Sequence, residues 1–287
     1  MRELGYAAPS GLAEAGRILL EVDGAMALAG GTDVVVARRL GKIAPALVVD
    51  LKRIPGLDEI RDTEGAIEIG ALASMTTISR SSLVGEYFPA LATAAGVMGC
   101  WQVRNLATLG GNLCNASPSA ETAPPLLVYE AVALIDGANG PREVPMADFF
   151  TGPGTTVLAR GELLAGVRLP KEPQGLRSAY ARRALRRSMD IPLVNTAVAL
   201  RIAEGVVEEA RLALGAVAPV PFRVRPAEEV LVDRRLDGAA LRAAAEAACA
   251  SARPITDVRA TAEYRLAMID VVVRRALAEV AEEEVAA

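Results

Sequence analysis

Histidine is absent from the 287-residue chain, and cysteine occurs only as Cys100, Cys114 and Cys249. The first absence excludes Ser–His and Cys–His nucleophile pairs and histidine-bound zinc. Three scattered thiols, without a Cys-x-x-Cys pair, cannot supply the four ligands of an iron–sulfur cluster. Their odd, unspaced number reads as reduced thiols rather than a disulfide framework. Aromatic residues make up only 3% of the chain, so Ala, Val, Leu and Ile must build the core. No apolar run reaches the roughly 18 residues of a membrane span, and the N-terminus lacks the pattern of a signal peptide. A soluble, cytoplasmic protein is expected. The formal net charge is -4, and the one basic cluster, "RRALRR" at 182–187, is short. A nucleic-acid footprint needs a broader basic surface.

What is present points to a packed globular protein, with 52% hydrophobic residues in one large domain or two to three smaller ones. Ser10 is placed to cap a helix over about 11–21, which Gly24 ends. "AMALAG" (25–30) reads as a buried strand, Thr32 to about Leu40 as a helix, and "ALVVDL" (46–51) as a second strand. Alternation on both sides of "TEG" predicts a hairpin, followed by helices near 76–83 and 89–98. "TAPPLLVYEA" opens a further helix, "AVALID" and "REVPM" form a second hairpin, and "GELLAGVRLP" is the last segment before a linker at Pro170, Pro173 and Gly175. Beyond it, two alternating runs pivot on "EG" at 204–205, and Ala-rich helices are expected near 226–233, 238–251 and 261–282. In the last of these, Leu266, Ile269, Val273, Ala276 and Val280 share one face. The fold class is α+β, with two lobes and a C-terminal domain of antiparallel strands plus helices.

Two glycine-rich turns carry the chemistry. "LAGGTD" (28–33) lies between a strand and a helix, where Gly-Gly lets a ligand approach the backbone and Thr32 adds a hydroxyl. Asp33 suits its own helix start rather than a phosphate. "ATLGGNLCNASPSAET" (107–122) carries one charge, Glu121, and is too polar for a core strand and too rich in Gly, Asn and Pro for a helix. Each turn alone is more often structural, its Asn side chains bonding nearby backbone. Together they could clasp one extended ligand with a diphosphate, a sugar-like chain and a ring of several carbonyls and nitrogens, a description that FAD fits. The spacing is not the G-x-G-x-x-G of a Rossmann site.

The blocks "LAGGTDVVV", "LVVDL", "IEIGALASMT", "VRNLATLGGNLCNASPSAETAPPLL", "DFFTGPGTTVL", "GELLAGVRLP", "DIPLVNTAVAL" and "DVRATAEYR" occur in that order. Together they resemble the FAD-binding medium subunit of molybdenum hydroxylases, the group of carbon monoxide, xanthine and nicotinate dehydrogenases. The resemblance implies a two-lobed vanillyl-alcohol-oxidase-type FAD-binding domain over 1–173, with lobes of about 1–54 and 55–173, and a flavoprotein C-terminal domain over 176–287. It implies an electron-transfer role: FAD receives electrons from [2Fe–2S] clusters on a small partner subunit and passes them to an external acceptor. Molybdopterin would sit on a large partner subunit, in a dimer of heterotrimers. Without histidine, FAD held noncovalently is expected.

Residue by residue, the resemblance implies that Ala27, Leu28, Ala29, Gly30, Gly31, Thr32, Asp33 and Val34 wrap the pyrophosphate and adenosine side. Thr108, Leu109, Gly110, Gly111 and Asn112 would give a second phosphate and ribityl grip, with Asn115 beside them. Glu121, where the family usually carries Asp, would reach the ribityl hydroxyls, and Met98 would lie against the flavin ring. Cys114 would lie near the other face of the ring or act as a small buried thiol, and Leu164 would contact FAD or simply fill core. Arg182 stands either at the flavin pyrimidine edge or on a solvated basic face, and Asp190 contacts flavin or caps backbone. Asp257, Arg259, Tyr264 and Arg265 would fix the last helix. The competing class is a free-standing flavin reductase or oxidase of the same fold, which needs a proton donor beside the ring. A scaffold that has lost FAD would not retain both glycine blocks.

Overall fold

A computed structural model of the chain describes residues 4–171 and 175–286, with side chains through Glu282. Pro173 of the expected linker lies outside the described residues. The first lobe runs β1 (Gly5–Ala7), α1 (Leu12–Glu21), β2 (Ala25–Leu28), α2 (Val34–Arg39) and β3 (Leu47–Asp50). Its three strands are parallel in the order β1-β3-β2, so β2–α2–β3 is the expected βαβ unit. Two boundaries differ from expectation. Gly11, not Ser10, is the N-cap of α1, because Ser10 turns its backbone N–H and hydroxyl onto Glu14. The helix ends at Glu21 with Val22 as C-cap, and Gly24 (φ 73°) makes the turn that follows.

The second lobe begins with the hairpin β4 (Ile60–Thr63) and β5 (Ala66–Gly70). Six short helices follow: α3 (Met75–Arg80), α4 (Ser82–Tyr87), α5 (Pro89–Val97), α6 (Trp101–Arg104), α7 (Leu109–Cys114) and α8 (Ala123–Val128). Strands β6 (Val132–Gly137), β7 (Arg142–Pro145), the small pair β8 (Phe150–Gly152) and β9 (Thr155–Thr156), and β10 (Glu162–Pro170) complete it. The antiparallel order β4-β5-β10-β6-β7 places β10 centrally, with a bulge between Leu164 and Gly166. The helix α7 falls inside the segment whose composition argued against helix. Tertiary bonding overrides propensity there: Leu109 and Gly110 donate their amides to Ala73 and Ala71, and the Thr108 hydroxyl caps Gly111.

The C-terminal part holds β11 (Leu176–Arg183), β12 (Val194–Ala203), β13 (Val206–Gly215), β14 (Phe222–Arg223), α9 (Arg225–Glu229), α10 (Gly238–Ser251) and α11 (Ala262–Ala286). The sheet is antiparallel in the order β11-β12-β13-β14, which leaves β11 on an edge. Alternate residues face opposite ways, as strand geometry requires. Ala179, Ala181, Val198 and Leu212 pack under α10 and α11, against Ile269, Val273, Ala276 and Val280. Tyr180, Ala197, Ala199 and Ala213 instead join the core of the second lobe. With both faces covered, residues 194–200 are all buried, which explains the near-continuous apolar run of β12. As expected, Arg265 is a clamp for α11: it donates to the carbonyl of Leu193 and to Asp257.

Ile269 is fully buried. Ile269→Ala is expected to lower stability by about 2–5 kcal/mol in urea unfolding, the usual cost of such a cavity. Asp237 caps α10 by accepting from the amides of Ala239 and Ala240. These bonds hold its carboxyl below the ordinary aspartate value. A folded value below the unfolded one means the contribution is complete above pH 3.8 and is lost as pH falls below it. The urea-midpoint difference between the protein and Asp237→Ala should therefore be constant near neutrality and shrink in acid.

Candidate functional site

Ala27 and Leu28 end β2 in register with Val49 and Asp50, and the chain then turns through Ala29–Asp33 into α2 at Val34. Gly31 takes φ 74°, a conformation that other residues rarely adopt. Gly30 is required for a different reason: a Cβ there would collide with the carbonyl oxygen of Leu106. The two glycine segments of the sequence therefore meet, backbone against backbone. Lys52 bridges Asp50 (2.6 Å) and the Ala29 carbonyl (3.4 Å), steadying the start of the turn.

The backbone hydrogen bonds distinguish the two segments. Among the described residues, the amides of Gly30, Gly31, Thr32 and Asp33 donate to no other group. Successive free N–H groups in a turn form an anion-binding concavity. Asp33 stands at the N-cap of α2, at its own helix start; its carboxylate makes no cap bond, and its carbonyl accepts from Ala37. In the second segment the amides of Leu109, Gly110, Gly111 and Asn112 are all spent inside the protein. Their glycines serve packing, since a Cβ on Gly110 would lie 2.8 Å from that of Ala71. Leu109 is fully buried. A ligand there is left with side chains: exposed Asn115, and the amide nitrogen of Asn112, whose oxygen accepts from Thr122 (2.7 Å).

Cys114, at the end of α7, is exposed to solvent, and yet burial pushes its thiol up to about 12. The residue meets solvent from one side while its thiol is surrounded by protein. The Leu164 N–H reaches the same sulfur. Leu164 is 4% exposed and lies in the core, so it faces Cys114 through its backbone.

Glu121 departs most from its expected role. It is 4% exposed, and both carboxylate oxygens are taken: Tyr180 donates to one and Arg182 to the other. Burial raises its pKa, opposed by the charge of Arg182. Of the two settings expected for Arg182, the solvated basic face is not found, since its side chain is 11% exposed and ion-paired. The network extends through Asn195, fully buried, which donates to Tyr180 and to the Ala120 carbonyl. Tyr180 and Asn195 were not singled out in the sequence; Tyr180 sits two residues before Arg182, on the same face of β11. Asp190 is a backbone cap: it accepts from the amides of Arg186 and Ile191, which lower its pKa against the desolvation that raises it. The loop it closes bonds Met189 and Ser188 to the Gly99 carbonyl, beside partly buried Met98.

Arg182→Met removes one partner of a buried ion pair and is expected to destabilise by about 3–5 kcal/mol. Pairing it with Glu121→Gln should restore much of the loss in urea unfolding; simple additivity would show that the pair is not coupled. Cys114 should resist iodoacetamide at pH 8 despite its exposure, as read by peptide mass, because almost none of it is thiolate.

Residues 2–172 match the family "FAD binding domain in molybdopterin dehydrogenase", and residues 179–280 match the "CO dehydrogenase flavoprotein C-terminal domain". The xanthine dehydrogenase FAD-binding subunit of Escherichia coli O157:H7 is 34% identical over 270 residues, 93% of this chain and 92% of that protein. The carbon monoxide dehydrogenase medium chain of Hydrogenophaga pseudoflava is 33% identical over 95% of both chains. The solved carbon monoxide dehydrogenase of that organism, in a form lacking the Mo-pyranopterin moiety, superposes with a TM-score of 0.93 at 33% identity over 97% of each chain. With the two-domain fold and the paired glycine segments, these matches place the chain in the family of FAD-binding medium subunits of molybdenum hydroxylases, as a flavoprotein oxidoreductase subunit.

Proposed function

We propose that the chain holds FAD noncovalently along the cleft that starts at the Gly30 turn and ends between Met98 and Arg182, and relays electrons between partner-borne [2Fe–2S] clusters and an external acceptor. The observation that carries this reading is the run of four unpaired amides at Gly30–Asp33, closed against the backbone at Leu106. In this reading Ala27–Val34 takes the pyrophosphate and adenosine side. Thr108, Asn112 and Asn115 supply side-chain polar groups along the sugar-like chain, and Leu109, Gly110 and Gly111 keep α7 close to Ala71. Glu121 acts through Arg182, holding the guanidinium in place. Met98 and Cys114 border the ring, Leu164 positions Cys114 through its N–H, and Asp190 shapes the loop that packs on Gly99. Bound flavin supplies the electron-accepting and electron-donating chemistry; the protein orients it and keeps protons fixed. Cys114, with its thiol near 12, is a poor acid, and this disfavours a free-standing reductase that must protonate its substrate.

The division into 1–173 and 176–287 belongs to the same proposal, as do a large molybdopterin subunit and a small iron–sulfur subunit in a dimer of heterotrimers. Exposed Trp101 and Met189 (52% and 53%) lie beside Met98 and Gly99, and with exposed Leu185 (57%) on the same loop as Met189 they fit a docking face for such a partner. Among the described residues no helix is long and apolar enough to cross a membrane, and no His/Cys/Asp/Glu group could hold a metal.

The test is the absorption spectrum of the purified chain after FAD reconstitution, repeated on the supernatant after acid precipitation. Flavin bands that appear on the protein and are released by acid are expected. Gly30→Ala should weaken FAD uptake at least tenfold while circular dichroism shows a folded chain. A folded protein that takes up no flavin would overturn the proposal.

A further inference from the structure

Lys52 follows β3 in one turn of 3-10 helix, Leu51–Arg53, at the carboxyl ends of the parallel strands β2 and β3. Ligands of open parallel sheets gather beyond those ends. The ammonium lies 2.6 Å from the Asp50 carboxylate and 3.4 Å from the carbonyl of Ala29, the residue that precedes the four free amides. A lysine ammonium carries three N–H donors and no acceptor. Asp50 and Ala29 take two of them. Among the described residues the third has no partner, and the side chain is 55% exposed.

The anchor of this ammonium is itself fixed. Asp50 is buried and accepts from the Tyr6 hydroxyl (2.8 Å) and from the backbone N–H of Lys52 (3.1 Å). Burial raises the Asp50 pKa, but the bonds from Lys52 and Tyr6 lower it by more, so the carboxylate stays charged. A long side chain held in this way has already lost rotamer freedom that binding would otherwise cost. The turn brings no cation of its own. From Ala27 to Val34 the one charged residue is Asp33, exposed and without an ion-pair partner among the described residues. Its charge opposes an incoming anion. The second glycine segment, 107–122, adds only the charge of Glu121. Free amides contribute partial charges, whereas a lysine beside them contributes a full one.

We propose that Lys52 is the cation of the diphosphate site: anchored by Asp50 and Tyr6, it lends its charge and its third N–H to a phosphate oxygen of the flavin dinucleotide, beside the amides of Gly30–Asp33. The assignment rests on the flavin reading given above and adds to it a residue outside both glycine segments. It also separates two duties of Lys52. The bonds to Asp50 and Ala29 need a donor, and the contact with the diphosphate needs a charge.

Titration of the full chain with FAD, followed by the change in flavin fluorescence at low and high salt, tests it. For the unaltered chain Kd should rise with salt, because the ammonium is half exposed. Lys52→Gln keeps a donor and removes the charge. It should leave Tm unchanged, weaken FAD by about tenfold or more, the worth of one charge-assisted hydrogen bond, and flatten the salt dependence. Lys52→Arg, which restores the charge, should recover most of the affinity and the salt dependence with it. Equal affinity in Lys52→Gln would overturn the proposal, and so would a loss that leaves the salt dependence as it was or that Lys52→Arg does not rescue. In each of these outcomes FAD still binds the unaltered chain and the flavin reading stands. A folded, unaltered chain that takes up no FAD would instead overturn the flavin reading and this assignment together.

Discussion

The buried carboxylate of Glu121 ties the loop after α7 to the edge strand of the C-terminal sheet. Tyr180 and Arg182 both reach it from β11, and Asn195 on β12 holds Tyr180 and the Ala120 carbonyl. A buried charge is tolerated only when such partners offset its desolvation. Here the partners come from elements far apart in the chain, so docking of the C-terminal sheet and order in the loop are one event. The same desolvation raises Glu121 and pushes the Tyr180 hydroxyl well above its ordinary value, keeping a proton on the tyrosine.

Around that link, the two glycine segments have opposite duties. The Gly30 turn leaves its amides free and uses the missing side chain to lie against Leu106. The Gly110–Gly111 pair spends its amides on the Ala71 carbonyl and the Thr108 hydroxyl, and uses the missing side chains to bring α7 onto the sheet. One turn offers a concavity for an anion; the other packs α7, at whose end Cys114 is solvent-touched yet surrounded by protein.

Strand and helix positions were legible wherever one physical pattern dominated. Alternation about Gly65 and Gly205 marked two of the three hairpins, and the spacing of Ile269, Val273, Ala276 and Val280 marked the buried face of α11. The short helix α7 was not legible, because its stability comes from carbonyls of the 71–73 segment and one hydroxyl cap, not from its own residues. The role of Glu121 was hidden for the same reason. A carboxylate in a polar loop reads as a ligand contact until the fold shows Tyr180 and Arg182 already on it. Asp190 and Arg182 were each ambiguous in the sequence, and only their partners separate a cap from a contact and a paired cation from a solvated one.

The sequence by itself determined the family, the two glycine turns, the α+β class and the exclusion of histidine chemistry, because these rest on residue identity and local periodicity. Tertiary structure alone decided which amides stay free, which glycines serve packing, and which carboxylate and carbonyl Lys52 reaches. Those outcomes depend on distances between segments far apart in the chain, and a hydrogen bond or an ion pair exists only once the fold has brought both of its partners to the same place.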